Sequence, residues 1–195
     1  KEFSPQDSLA VIHSMIETAK NQFGENGHLY LLWGWVVFIC SVAQFLLLNV
    51  FRYEYHSMVW FLTWAAFIYQ IFYLVKTKKR QRVRTYTDRI IGFVWMVFVI
   101  LMGLFAFLFG RELGTAYYTM MTPGFLALYG MPTFLSGIIL QFRPLVIGGV
   151  GCWALSIIAL FIPYEYQLLL LSAATVIAWI IPGYMMRSKY KKANV

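Results

Sequence analysis

Long apolar runs separated by short polar ones dominate the pattern of this chain. Six runs stand out: Leu29–Val50, Ser57–Val75, Ile90–Phe109, Thr119–Leu140, Leu145–Ile162 and Tyr166–Met186. Each is about 18–22 residues long, enough to carry a helix across a hydrocarbon core of roughly 30 Å. A segment isolated in that core must satisfy its backbone polar groups internally, so each run is predicted to be helical. Barrel strands would show shorter segments of strict alternation. The expected fold is an all-α integral membrane protein, with six transmembrane helices forming three hairpins.

The first 28 residues follow a different pattern. Leu9, Ile12, Ile16, Ala19 and Phe23 recur at spacings of three and four, which puts them on one helix face. Ser4 suits a cap, Pro5 the first helical position, and Asp7 the positive helix end. An amphipathic helix over 4–23 is therefore predicted outside the bilayer, ended by Gly24 to Gly27. The domain plan is residues 1–28 as helix and linker, 29–186 as the transmembrane domain and 187–195 as a basic tail. The first apolar run exceeds a signal-peptide core and has no small-residue cleavage site, so it is expected to stay as an anchor.

Composition narrows the class. The 195 residues are 61% hydrophobic and 12% charged, whereas a soluble domain has about 25% charged residues. A soluble enzyme and a disordered chain are both excluded. The two cysteines lie inside apolar runs, which excludes a disulfide scaffold.

Charge placement predicts the orientation. Lys1 and Lys20 precede the first run. Lys76, Lys78, Lys79, Arg80, Arg82, Arg84 and Arg89 lie between the second and third. Arg143 separates the fourth and fifth, and Arg187, Lys189, Lys191 and Lys192 follow the sixth. Only Arg52 and Arg111 fall on the other side. Lysine and arginine collect in short cytoplasmic loops, so both termini are expected to be cytoplasmic.

The 76–89 loop carries a net charge of +6 and the segment before the first run a net of −2. Lys78, Lys79, Arg80, Arg82 and Arg84 are expected to touch anionic lipid headgroups, at roughly 1 kcal/mol per residue. The same residues are candidates to receive the acidic N-terminal helix. A separate soluble partner for that helix is the alternative. Nucleic-acid binding is not expected, because no aromatic platform accompanies the charge.

Each turn on the outer side holds a glutamate: Glu54, Glu112 and Glu165. Tyr-Glu-Tyr occurs at both 53–55 and 164–166, which suggests a duplicated hairpin. Tyrosine favours the membrane interface, and a glutamate there suits the dipole of the helix that follows. A vestibule attracting cations is the functional alternative.

Ionisable residues inside spans mark proton and ion pathways. None of these runs has a central Asp, Glu, Lys or Arg, which counts against a proton-coupled pump. Pro123 and Pro132, with nearby glycines, predict a bent fourth span. Gln44, Gln70 and Ser136 are the candidates to line a cavity beside it, with interhelical hydrogen bonding as the alternative. His13, His28 and His56 do not pair at helix spacing, and no metal or other cofactor is expected. Ser136, Ser156 and Ser172 have no histidine close in sequence on the same leaflet, so no catalytic residue is assigned. In the fifth span Gly148, Cys152 and Ser156 recur every four residues. Small residues on one face permit close helix approach in lipid. The stripe is read as packing within the bundle, with a homo-oligomer contact as the alternative.

Three strings carry a resemblance: Leu31-Leu32-Trp33-Gly34-Trp35, Thr87-Asp88-Arg89-Ile90-Ile91-Gly92-Phe93-Val94-Trp95, and Pro144-Leu145-Val146-Ile147-Gly148-Gly149-Val150-Gly151-Cys152-Trp153. With the N-terminal segment, they resemble a group of small six-helix bacterial inner-membrane proteins. The resemblance implies that membrane and carries no activity onto any residue. The functional expectation is a non-catalytic sensory, regulatory or scaffold component. The alternative is a small transporter, channel or hydrophobic-ligand binder.

Overall fold

A computed structural model describes residues 27–80, 86–112, 114 and 116–193, with the side chains of 78–80, 86 and 193 excepted. The N-terminal helix expected over 4–23 lies outside the described residues. So do Arg82 and Arg84, and the side chains of Lys78, Lys79 and Arg80.

The described chain is helical, with no strand among the described residues. Helix α1 spans His28–Asn49. A short 3-10 turn, His56–Trp60, leads into α2, Phe61–Arg80. Helix α3 is Tyr86–Glu112, α4 is Ala116–Ile139 and α5 is Arg143–Ala159. Helix α6, Tyr164–Thr175, runs through a π-helical turn at Val176–Ile180 into α7, Ile181–Ala193.

Five stretches are long and apolar enough to cross a membrane: His28–Asn49, His56–Thr77, Thr87–Glu112, Ala116–Ile139 and Tyr164–Lys192. The predicted fifth run is shorter as a helix. It starts at Arg143, with Pro144 in its first turn, and stops at Ala159 after 17 residues. The three apolar residues after it, Leu160 to Ile162, form the turn before Pro163. The other helices extend into polar flanks, because backbone hydrogen bonding does not stop where apolar composition does.

Neighbouring helices run antiparallel. His28 of α1 meets Tyr69 of α2, while Gln44 near the other end of α1 meets Trp60. Gly130 and Gly149 pair α4 with α5, and Pro123 faces Ser156 further along. All the described helices therefore share two ends. One carries His28, Lys76, Arg143 and Arg187 and is the basic end. The other carries the glutamate turns and is the turn end.

The centre is held by glycine contacts. A Cβ at Gly149 would meet Phe134 Cβ at 2.7 Å and the Gly130 carbonyl oxygen at 2.9 Å. A Cβ at Gly148 would lie 2.7 Å from Ala178 Cα, and one at Gly34 would lie 2.8 Å from Ile180. Only glycine, which has a hydrogen in place of a Cβ, allows approaches this close. The π turn places Ala178, Trp179 and Ile180 in the core. Its cause is local: Pro182 has no N–H, and the ladder widens just upstream of it. Trp179 then packs its ring, tilted, against those of Tyr129 at 4.9 Å and Trp95 at 5.9 Å, and donates to Thr133 Oγ1 at 2.9 Å. Pro123 and Pro132 both lie within α4, which continues as helix through them.

Helices α2 and α3 flank this centre. Among their described side chains, only Ala66, Ile91 and Phe98 are buried. Phe61, Trp64, Phe72, Phe93 and Phe107 are exposed. Apolar patches on this scale are foreign to water-facing surfaces and suit a membrane-embedded chain.

Candidate functional site

The basic end holds two hollows on either side of Tyr69. The first is a shallow, open hollow of about 320 Å³ between α1, α2 and α7. Leu31, Leu32 and Trp35 form its apolar wall. His28, Tyr69, Tyr184 and Arg187 supply its polar rim. The second encloses about 420 Å³ and is lined by Tyr69, Tyr73, Lys76 and Thr77. Among the described residues, no acidic side chain lines either hollow.

Local structure brings these groups together. Gly27, with φ of 68°, turns the chain into α1 and leaves room for the Gly183 carbonyl, which a Cβ would meet at 2.6 Å. That contact seats His28 beside α7. On α2, Tyr69, Tyr73 and Lys76 follow at four and then three residues, one helical face. His28 Nε2 and the Tyr69 hydroxyl are hydrogen bonded at 3.2 Å, and the His28 and Tyr73 rings lie 4.5 Å apart. Trp35 Nε1 donates to the Tyr184 hydroxyl at 3.3 Å, which ties α1 to α7. Among the described residues the Tyr184 O–H has no acceptor.

The turn end holds a second polar group. Gln44 Nε2 donates to His56 Nδ1 at 3.1 Å and to the Tyr164 hydroxyl at 3.2 Å. Its Oε1 accepts from Trp60 Nε1 at 2.6 Å. An amide nitrogen only donates, so His56 Nδ1 is the acceptor here and its proton sits on Nε2. Gln167, below Tyr164, points its Nε2 at three carbonyls: Thr119 at 3.2 Å, Ala159 at 3.0 Å and Ile162 at 3.0 Å. Every polar atom of Gln44 is used within the protein, so this group works as a clasp joining α1, the 3-10 turn and α6.

The residues singled out from sequence lie in separate places. Gln44 belongs to the turn-end clasp. Gln70 accepts from Trp33 Nε1 at 2.6 Å between α1 and α2. Ser136 is fully buried on α4, without a partner for its Oγ among the described residues. None of the three lines either hollow. In α5, Gly148 meets Ala178, Cys152 is buried, and Ser156 donates to the Pro123 carbonyl at 2.7 Å. The three glutamates are not equivalent. Only Glu165 stands in the first turn of a helix, where the dipole favours it. Glu112 is the last residue of α3 and pairs with Arg111 at 3.9 Å on an exposed surface.

Sequence reasoning missed the hollow beside Arg187. The spacing of Tyr69, Tyr73 and Lys76 signals only the adjoining hollow, with Tyr69 shared between the two. Arg187 read only as topology charge, and His28 only as a lone histidine. Among the described residues, no three His, Cys, Asp or Glu side chains converge in a way that could hold a metal ion. No family model, curated protein or solved structure matches the chain, so its function rests on its own geometry.

Proposed function

We propose that this chain is a non-catalytic membrane component, sensory, regulatory or scaffolding, whose working face is the basic end. In this reading the described helices cross the bilayer with both termini cytoplasmic. The basic end then faces the cytoplasm of a bacterial cell, against anionic headgroups and a protein partner or second copy. The observation that carries it is the closed centre of the bundle. Trp179 is 2% exposed and bonded to Thr133 at the middle, with glycine crossings around it. The two open hollows lie at the basic end instead.

The test is reconstitution in liposomes alongside crosslinking from the basic end in native membranes. A stoichiometric crosslinked partner without solute flux supports the proposal. Flux of ions or small solutes that responds to Gln44→Leu or Gln70→Leu overturns it in favour of a transporter. A second reading, a hydrophobic-ligand binder, draws on the apolar wall of Leu31, Leu32 and Trp35.

A further inference from the structure

We propose that the hollow between α1, α2 and α7 binds the phosphate headgroup of one anionic membrane lipid, with Arg187 as its charge partner. The inference deepens the reading of the basic end as the working face and rests on it.

Arg187 stands at the rim of a hollow that no acid lines among the described residues. Among the described residues it has no ion-pair partner, the described pair Arg111–Glu112 lying at the opposite end. A guanidinium presents a planar fork that suits phosphate oxygens. Trp35 donates to the Tyr184 oxygen, and among the described residues the Tyr184 O–H has no acceptor. The Tyr69 hydroxyl is held across the hollow by His28. Cation and phenols thus ring one space, and Lys76 lines the adjoining one.

The opposite wall selects a lipid over a free anion. Leu31, Leu32 and Trp35 offer nothing to inorganic phosphate, and Trp35 is 41% exposed along the side of the bundle. An acyl chain laid there keeps its phosphate at the rim. Tryptophan and tyrosine mark the depth of the membrane interface. Basic pockets between helices at that depth take anionic headgroups. The volume of about 320 Å³ falls at the lower end of the range of roughly 300–1,000 Å³ for small-molecule sites.

The test is native mass spectrometry of the full chain, extracted in detergent and titrated with equimolar phosphatidylglycerol and phosphatidylcholine. Wild-type protein is expected to retain one phosphatidylglycerol under activation that strips phosphatidylcholine. Arg187→Gln lowers that preference roughly tenfold, the scale of one charge-assisted contact. Arg111→Gln, at the other end, leaves it unchanged. Millimolar inorganic phosphate leaves the lipid in place. Tyr184→Phe, which removes one donor and little volume, lowers the preference by a smaller factor and serves if Arg187→Gln does not fold. Equal retention of both lipids by the wild type overturns the proposal. So does an unchanged preference in a folded Arg187→Gln protein, or displacement of the lipid by phosphate alone. Lipid count is read without any partner or flux. Failure here therefore leaves the scaffold reading standing, and a finding of flux leaves the lipid site standing.

Discussion

Gln167 Nε2 lies 3.2 Å from the Thr119 carbonyl, the one group in α4 whose helical donor Pro123 cannot supply. Proline has no N–H, so the carbonyl four residues earlier is left without its helical donor. A side chain from α6 closes it. The same amide nitrogen also serves Ala159 and Ile162 at the α5–α6 turn, so one buried glutamine joins three elements.

Removing that amide should be costly. Gln167→Leu is expected to destabilise by about 1–3 kcal/mol, the cost of leaving the buried Ala159 carbonyl and two partly buried ones without this donor. In a Pro123→Ala background the cost should fall, because the backbone at 123 regains its donor to Thr119. Thermal unfolding in detergent of the two single variants and the double variant forms the cycle. Strict additivity would mean that the Thr119 contact carries no energy.

Glycines in this chain separate into two kinds. Gly149→Ala should destabilise by about 1–3 kcal/mol, because Phe134 and the Gly130 backbone must move. Gly103→Ala, where nothing lies within 4 Å, should be neutral or raise the midpoint slightly through helix propensity. Parallel melts of the two variants check the α4–α5 crossing. Equal effects would argue against it.

Trp179 depends on Thr133 for its hydrogen bond. Thr133→Val keeps the shape and leaves a buried indole N–H unpaired, for a loss of about 1–3 kcal/mol. Thr133→Ser keeps the hydroxyl and loses a methyl, worth about 0.8 kcal/mol. Serine should therefore be the milder change in a chemical or thermal unfolding series. The reverse order would show that packing, not the hydrogen bond, holds the π turn.

Gln141 ends α4 in the left-handed region, at φ of 51°. Around it, Phe142 N–H donates to the Gly137 carbonyl at 2.8 Å and Gln141 N–H to Ile138 at 3.1 Å. These are the paired bonds of a helix terminus that glycine normally occupies. Gln141→Gly removes the Cβ strain and adds unfolded-state freedom. The net expectation is a gain of up to about 1 kcal/mol. A midpoint that falls instead would show that the Gln141 side chain contributes a contact.

The helices themselves were legible. Apolar run length marks a segment whose backbone must bond to itself, which is a local property and needs no partner. The main errors came at element ends, such as Ile162 and His56, where turn geometry and Pro163 outweighed composition. Hairpin alternation followed from short turns. Gln44 and Gln70, the candidates to line a cavity, lie within helices and bond to neighbouring elements instead.

Which residues meet was decided by the tertiary structure alone. Trp35 reaches Tyr184 across 149 positions, Gln167 reaches Thr119 across 48, and Arg187 joins His28 and Tyr69 around one hollow. Helices that are apolar all round carry no sequence signal for their rotation, because lipid and protein core accept the same side chains. Rotation is set instead by where glycines permit contact and where a few amides, hydroxyls and indoles find each other. Those are pairwise matches between distant helices. Composition and spacing therefore determined the helices and their polar flanks, and the packed bundle alone determined the site.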